Sequence, residues 1–371
     1  MESYRSEENL LSWPAPQRED DFWLQASTLR FLLTPVHAFT TEPLRLTHAA
    51  SGRTVLLTAQ TFQFRPTRQA REEAKGATSR WNFRRRLLSP LSSKVLCLGQ
   101  LLTSGNYASD GLAALSPGEA VQLLESVANT IMRRQPCCRG VIVKDLAREG
   151  EALAQLLSER GFTSLPVDPV MLMDLSSYAD FEDYLSALSS KYRVRYRRAR
   201  GKLEGVSRRS LSAPEVRQRL PELYGLYEET TRGADFNLTP LQPSYFGWLA
   251  GVAEFNGYFG GQGELVGFTT GIVNGSVYQA HFLGLREAYK YSHHLYHNML
   301  YDLLGDALAS RCRSLDYGRT APEIKSSVGA VAHPIASMLR LNSPVLNRLV
   351  PRFIPAVFAA REWQPRDPFR G

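Results

Sequence analysis

The chain has 371 residues, of which 43% are hydrophobic and 22% charged, and its formal net charge is +8. This composition excludes wholesale disorder, and the length exceeds what one hydrophobic core usually supports, so we expect two domains. No stretch approaches the roughly 20 apolar residues of a membrane-spanning helix, and the start shows no apolar run of a signal peptide. We therefore expect a cytoplasmic protein.

The first half alternates strands and helices. Ser116, Pro117 and Glu119 have the spacing of a capping box and predict the start of a helix that runs to Arg134. Strands are predicted over 45–50, 53–64, 94–102, 140–146 and 170–175, a basic loop over 66–86, and a second helix over 151–161.

The second half repeats this order after an initial set of helices. Helices are predicted over 180–204, 214–232 and 243–255, then a long hairpin around Asn274 and Gly275, a helix from Ser292 and a short strand over 314–318. The recurrence predicts an α/β fold with two similar halves, 1–166 and 167–371, each with a mixed sheet and helices on both faces. No glycine-rich nucleotide motif follows a predicted strand.

The stretch from Lys191 to Lys202, KYRVRYRRARGK, has seven positive charges and no acid. On a helix its tyrosines continue an apolar stripe, and Lys191 and Arg195 lie on one basic flank. A solvated helix whose charges suit its own dipole explains part of this pattern. The excess of charge also favours an anionic ligand, namely a phosphate-bearing substrate, anionic lipid or nucleic acid. DNA is disfavoured because no DNA-binding motif surrounds the stretch.

Polar side chains cluster near the C-terminus, where a short strand ends in LDYGRTAPEIK. Arg319 and Lys325 have the chemistry to hold phosphate, with Thr320 beside them as a further donor contact, and Asp316 or Glu323 to accept a proton. The alternative is structural, with Asp316 paired to Arg319 and Thr320 capping the next helix.

Five further polar residues precede this cluster. Ser292 is predicted to cap a helix whose exposed amides form an anion site, with His293 beside it. His281 lies on the preceding strand. His294 and His297 have an i, i+3 spacing, but no carboxylate or cysteine cluster accompanies them, and no metal site is predicted.

Three stretches carry a family resemblance: FEDYLSALSSKYRVRYRRARGKLEG, YQAHFLGLREAYKYSHHLYHNMLYDLL and LDYGRTAPEIKSSVGA. Together they resemble the bacterial GNAT-like acyltransferases grouped with the FemAB peptidoglycan enzymes and with the acetyltransferase-like proteins of cellulose-synthesis clusters. The resemblance implies tandem GNAT-like domains, with a donor site in the second, between two splayed strands. It implies direct attack of an amine on a thioester or ester, with His281 or Asp316 as base and Tyr317 as acid to the leaving thiolate. GNAT enzymes have a glycine-rich motif before the donor helix, whereas this chain has REAYKYSHH.

These features together predict an N-acyltransferase that moves an acyl group from acyl-CoA to a small or lipid-like amine, without a metal. The first alternative is a FemAB-type transferase that uses aminoacyl-tRNA on a cell-wall precursor. The second is a non-catalytic basic adaptor for nucleic acid or anionic membrane. Arginines and apolar residues alternate over 346–363, which favours peripheral contact with the inner face of the membrane.

Overall fold

The computed structural model describes the chain except for residues 7, 35–36, 50, 65–92, 147–149, 233–239, 358–362 and 370–371. Internal contacts divide the chain into two units. Unit 1 comprises Met1–Asp168, Asp235–Leu241 and Pro334–Arg361, and unit 2 comprises Pro169–Ala234, Gln242–His333 and Glu362–Gly371. The predicted basic loop over 66–86 lies outside the described residues.

Helices and strands alternate along the described chain. The helices are α1 (Ala26–Leu32), α2 (Pro117–Arg134), α3 (Glu151–Glu159), α4 (Phe181–Ala187), α5 (Ser190–Lys202), α6 (Ala213–Gln218), α7 (Leu220–Arg232), α8 (Pro243–Leu249), α9 (Glu287–Ser292), α10 (Leu295–Ala309), α11 (Pro322–Ser326) and α12 (Pro344–Val357). The strands are β1 (Glu2–Ser3), β2 (Phe39–Thr47), β3 (Thr54–Phe64), β4 (Ser93–Leu98), β5 (Ser109–Asp110), β6 (Cys138–Leu146), β7 (Thr163–Leu165), β8 (Val170–Asp174), β9 (Ser207–Ser210), β10 (Glu254–Phe259), β11 (Leu265–Asn274), β12 (Val277–Leu285), β13 (Ser314–Asp316), β14 (Val331–His333) and β15 (Ala336–Leu341).

Unit 1 is built on a mixed sheet with the order β1-β2-β3-β4-β6-β15-β7, in which β5 also pairs with β3. The predicted capping box begins α2, because the Ser116 hydroxyl accepts from the Glu119 amide and the Glu119 carboxylate accepts from the Ser116 amide. Helices α2 and α3 bury their apolar faces on this sheet, with Leu124, Ile131 and Leu157 in one cluster with strand residues.

Strand β15 departs from the predicted division of the chain. The predicted second half, 167–371, differs from unit 2 at Asp235–Leu241 and Pro334–Arg361, which belong to unit 1. For the second of these segments the reason is strand pairing, since β15 lies antiparallel between β6 and β7 and completes the sheet of unit 1. The first boundary, between Asp168 and Pro169, lies two residues from the predicted one.

Unit 2 is built on a seven-stranded sheet with the order β14-β8-β13-β12-β11-β10-β9. The hairpin of β11 and β12 was predicted, but Asn274 still pairs with Val277, so Gly275 and Ser276 form its turn. Gly275 takes the left-handed conformation with φ of 60°, which glycine adopts at little cost.

Helices cover both faces of this sheet. On one face α10 packs Leu300, Leu303 and Leu304 against Tyr278 of β12 and Leu315 of β13. On the other face α7 approaches β12 at Gly284, where a Cβ atom would lie 2.7 Å from the Tyr227 nitrogen. The predicted α/β class, with mixed sheets and helices on both faces, is confirmed.

Two predicted helices have different bounds in the structure. The helix predicted over 180–204 is two helices, because Leu188 is extended and bridges to Phe369 between α4 and α5. The helix predicted over 243–255 ends at Leu249, and strand β10 begins at Glu254. In the described part of the chain no helix is both long and apolar enough to cross a bilayer.

Candidate functional site

Two parallel strands separate in the middle of the unit 2 sheet. β12 and β13 pair at three positions, and the last pair is Gln279 with Asp316. β13 ends there, whereas β12 continues to Leu285. Ligands of open α/β sheets bind where neighbouring strands diverge at their carboxyl ends. We call this divergence, bounded by Asp316 and the second half of β12, the candidate groove.

A β-bulge lies on β12 just beyond the divergence. Thr269 pairs with Leu283 and Gly271 with Ala280, so two residues of β12 oppose the single residue Thr270. The Thr270 hydroxyl accepts a hydrogen bond from the Phe282 amide (2.9 Å) and donates one to the Phe282 carbonyl (2.7 Å). Bulges re-aim side chains beside active sites. Here the two bulged residues are His281 and Phe282.

Both bulged side chains meet Tyr245 of α8. The Tyr245 hydroxyl lies 2.5 Å from His281 Nε2, and the Tyr245 and Phe282 rings are 5.9 Å apart in an edge-to-face arrangement. Burial lowers the pKa of His281 to about 3, so its ring is neutral at neutral pH. Burial also raises the pKa of Tyr245 well above 10, so its hydroxyl stays protonated.

The other wall of the candidate groove carries Asp316. This side chain is 3% exposed, and its Oδ1 accepts a hydrogen bond from the Gly318 amide at 2.7 Å. Gln279, its partner in the strand register, is also 3% exposed. Because paired residues of neighbouring strands project from the same face of a sheet, the carboxyl of Asp316 and the amide of Gln279 lie on one face.

Three residues of the predicted C-terminal cluster point elsewhere. The Tyr317 hydroxyl donates to the Leu300 carbonyl at 2.8 Å inside the core under α10. The Lys325 amine is buried and donates to the Tyr317 carbonyl at 2.6 Å. Glu323 is exposed and forms an ion pair with Arg366. Packing and pairing engage all three, which does not favour the expected roles of Tyr317 as an acid, Glu323 as a base and Lys325 as a phosphate ligand.

The remaining two residues of that cluster lie in the loop after β13. Arg319 is partly buried and Thr320 is exposed. The residue that precedes α11 is Ala321 in the left-handed conformation, so Thr320 is not its cap. Arg319 and Thr320 stay candidates for donor contact.

The junction of α9 and α10 differs from its prediction. Ser292 ends α9, and its hydroxyl donates to the Ala288 carbonyl and contacts His293 Nδ1. The N-cap of α10 is His294, in the left-handed conformation with no side-chain cap. Ser292 as the cap of this helix was therefore wrong, although an uncapped helix start does follow two residues later.

The basic helix α5 lies beside this uncapped start. The Asn298 side chain of α10 donates to the Ala199 carbonyl of α5 at 2.8 Å, and Arg200 of α5 pairs with Asp302 of α10 at 2.5 Å. These contacts fix the two helices side by side in unit 2. The orientation of the cationic face of α5 is thereby fixed as well.

The cations of α5 also reach the first turn of α10 electrostatically. Burial, then Lys202 and Arg198, lowers the pKa of His294. Burial, then His294, Arg195 and Arg200, lowers the pKa of His297 to about 4. The His297 Nε2 is buried and has no hydrogen-bond partner among the described residues. The start of α10 is thus a region of positive potential with two buried polar atoms, His297 Nε2 and Asn298 Oδ1, that have no hydrogen-bond partner among the described residues.

Five exposed cations of α5 have no acidic partner in the described chain. Arg200 pairs with Asp302, but no described carboxylate forms an ion pair with Lys191, Arg195, Arg197, Arg198 or Lys202, all of which are exposed. Lys191 and Arg195 lie over the Tyr192 ring at 5.9 and 4.9 Å. We call this set the basic stripe. The predicted helical form of Lys191 to Lys202 and its apolar face are confirmed, because Tyr192 and Ala199 are buried.

Sequence reasoning missed Tyr245 and Thr270. Tyr245 lies in an aromatic-rich helix whose pattern indicates only core packing, and Thr270 lies in a strand rich in β-branched residues. No local signal marks either one, because both act through partners on β12. In the described part of the chain no group of three histidine, cysteine or acidic side chains is arranged to hold a metal.

The chain is similar to several known proteins. Residues 190–326 match the family model for the acetyltransferase (GNAT) domain. The crystal structure of FemX is 11% identical, with 94% of this chain and 100% of that chain covered and a TM-score of 0.52. The C-terminal domain of a putative lysylphosphatidylglycerol synthetase from Agrobacterium fabrum is 10% identical, with coverages of 94% and 95% and a TM-score of 0.49. L-PGS from Bacillus licheniformis is 16% identical, with coverages of 84% and 89% and a TM-score of 0.46. No curated protein matches.

Proposed function

We propose that this chain, which carries an acetyltransferase (GNAT) domain in a FemAB-like fold, is an N-acyltransferase that moves an acyl group from acyl-CoA to an amine. One observation carries the proposal: the parallel strands β12 and β13 diverge at Gln279 and Asp316, and a bulge presents His281 directly beyond that point. An extended acyl carrier would lie between the two strands at this divergence. The groups that line it are suited to proton transfer and hydrogen bonding.

The phosphates of the donor fit the start of α10. Backbone amides at an uncapped helix start favour an anion, and the potential there is raised by Arg195, Arg198 and Lys202. His297 Nε2 offers a buried hydrogen-bonding atom without a described partner. Cationic side chains thus replace the glycine-rich backbone loop that the stretch REAYKYSHH lacks.

The reaction needs a base and a means of holding the carbonyl. The amine nitrogen bonds to the thioester carbon, and the carbonyl electron pair moves to oxygen. Collapse of this adduct restores the carbonyl, releases the thiolate and transfers one amine proton to a base. We assign the base to Asp316, because its carboxyl lies at the last pair of β12 and β13, whereas His281 Nε2 is already within hydrogen-bond distance of the Tyr245 hydroxyl.

His281 then serves as a neutral hydrogen-bonding group. The Tyr245 hydroxyl at Nε2 and the Thr270 bonds to Phe282 hold the ring and its backbone in place. A rigid, water-poor environment strengthens such hydrogen bonds toward developing charge. Tyr245 and Thr270 are therefore positioning residues for this reaction.

A lipid-like amine is the acceptor that surface features favour. Helix α12 exposes Val345 (70%) and Leu346 (44%), and the exposed cations Arg348 and Arg352 lie on the same helix. Apolar and cationic side chains side by side suit an anionic bilayer surface. Sedimentation with vesicles of anionic or zwitterionic phospholipid tests this contact, and binding independent of Val345→Ser and Leu346→Ser would exclude it.

Aminoacyl-tRNA is the second candidate donor, and the length of the basic stripe favours it. From Lys191 to Lys202 the helix rises about 16 Å, well beyond the span of one diphosphate. A row of cations of that length suits a polyphosphate backbone. The acceptor would then be a cell-wall precursor, and the binding would weaken steeply with salt.

Calorimetry with the purified full chain tests these candidates. CoA or acyl-CoA binding supports the first and aminoacyl-tRNA binding the second, and the bound donor is then assayed for transfer to amines. His281→Gln and Tyr317→Phe form a matched pair, since Tyr317 lies in the core away from the candidate groove. Loss of transfer only in His281→Gln supports the site. Nucleic acid or vesicle binding without either donor would favour the adaptor instead.

A further inference from the structure

Helix α9 presents an exposed aromatic ring. Tyr291 is 70% exposed, and no other aromatic side chain of the described residues is in the exposed class. A tyrosine ring offers a flat contact surface, and every nucleobase has a complementary face. The exposed Tyr291 ring is therefore available to contact a ligand, and the residues around it indicate which kind.

The helix that carries Tyr291 is fixed at several points. Glu229 of α7 accepts a hydrogen bond from the Glu287 amide at 2.8 Å, at the first residue of α9. The Tyr289 hydroxyl donates to Glu264 in the turn between β10 and β11 at 2.8 Å, and its ring stacks on His293 at 4.5 Å. Tyr289 thus faces the protein, and Tyr291, two residues later, is held toward solvent.

One cation, Lys290, lies beside this exposed ring, and it also pairs with Glu287 of the same helix at 3.5 Å. The Lys290 amine lies 5.3 Å from the Tyr291 centroid. Three residues further on is His294, the residue whose pKa responds to Arg198 and Lys202 of the basic stripe. An aromatic face followed directly by a helix start and cations has the two components of nucleotide recognition, a stacking surface and a phosphate site.

We propose that Tyr291 stacks on the adenine base of the donor, so that α9 reads the nucleotide with side chains where a glycine-rich loop would use backbone amides. The inference rests on the proposed function. Adenine has two sources under it: the nucleotide of CoA and the 3′-terminal adenosine of an aminoacyl-tRNA. Tyr291 is a specificity-determining residue for either source.

Calorimetric titration of the wild type and of three variants tests the assignment. The variants are Tyr291→Ala, Tyr291→Phe and Val331→Ala. Val331, 63% exposed on β14, is the control for loss of a surface apolar side chain. The probes are CoA, adenosine 3′,5′-bisphosphate, 4′-phosphopantetheine without adenine, and aminoacyl-tRNA with or without its terminal adenosine. Since Tyr291 is mostly exposed, none of its variants should change the melting temperature.

Base stacking on an aromatic ring predicts a loss of about 5- to 100-fold in affinity for Tyr291→Ala with adenine-bearing probes. Tyr291→Phe and Val331→Ala should bind as the wild type does, and probes without adenine should not distinguish the variants. A loss with CoA and the bisphosphate identifies the first source, and a loss with tRNA only when its adenosine is present identifies the second. If wild type binds a donor and Tyr291→Ala binds it equally, stacking is wrong and the proposed function stands. If the wild type binds none of the probes, both the stacking of Tyr291 on adenine and the proposed function are wrong.

Discussion

Replacement of Thr270 by valine tests the bulge that carries His281. The Thr270 side chain is 1% exposed, and its hydroxyl makes both a donor and an acceptor bond to Phe282. Valine keeps the shape but leaves the partly buried Phe282 amide without that acceptor, which costs about 1–3 kcal/mol in addition to about 1 kcal/mol for the lost hydroxyl bond. The added methyl group recovers about 0.8 kcal/mol. We expect a net destabilisation of about 2 kcal/mol.

The neighbouring threonine supplies a matched control. Thr269 is also 1% exposed, but its hydroxyl has no hydrogen-bond partner among the described residues. Thr269→Val removes a buried unsatisfied group, so it should stabilise unit 2 by up to about 1 kcal/mol. Two residues of the same type, next to each other and equally buried, are thus expected to respond with opposite signs.

Urea unfolding gives the free energies, and hydrogen exchange locates the change. The hydrogen-exchange rate of the Phe282 amide should rise in Thr270→Val and stay unchanged in Thr269→Val. The amides of β3 in unit 1 serve as an internal reference. Transfer activity should fall in Thr270→Val because His281 loses its fixed backbone. Equal destabilisation by both substitutions would refute the reasoning, since the loss would then come from packing rather than from the two hydrogen bonds.

Three further predictions follow from the site. Asp316→Asn should lower kcat by about 10²- to 10⁴-fold with donor affinity retained, as a lost base requires, and an unchanged kcat would remove it from that role. The pKa of His297 is about 4 in the folded state and near 6.5 in the unfolded state, so between these pH values the unfolded state binds one more proton. The free energy of unfolding should therefore fall as the pH drops through this window. His297→Gln should reduce the slope of that free energy against pH by the equivalent of up to one proton, and equal slopes would contradict the prediction. Arg198→Ala should weaken donor binding and reduce its salt dependence, whereas Arg217→Ala, an exposed cation of α6, should do neither; identical effects would indicate only a loss of net charge.

Hydrophobic periodicity and end signals were sufficient for most of the elements. The capping box at Ser116 and Glu119, the hairpin near Gly275 and the tyrosine face of α5 are all local patterns, and the structure has each of them. The α/β class follows from their order along the chain. The GNAT resemblance also came from sequence, and the family match to residues 190–326 supports it.

The candidate site was predicted less completely, and single residues show why. His281 and Asp316 are brought to the candidate groove by the register of β12 with its two neighbours. Lys325 was expected at the ligand because lysine is cationic, yet its amine is buried against the Tyr317 carbonyl. Charge and spacing indicate what a side chain is able to do, whereas its direction depends on what packs around it.

The sequence by itself determined the helices and strands, the α/β class and the cationic character of α5, because these depend on side chains a few positions apart. Only the tertiary structure decided that β15 joins the sheet of unit 1, that Thr270 holds a bulge and that Tyr245 meets His281. Each of these joins residues distant in the chain through hydrogen bonds that many partners could satisfy equally well. Which partner is chosen depends on the packing of the whole unit.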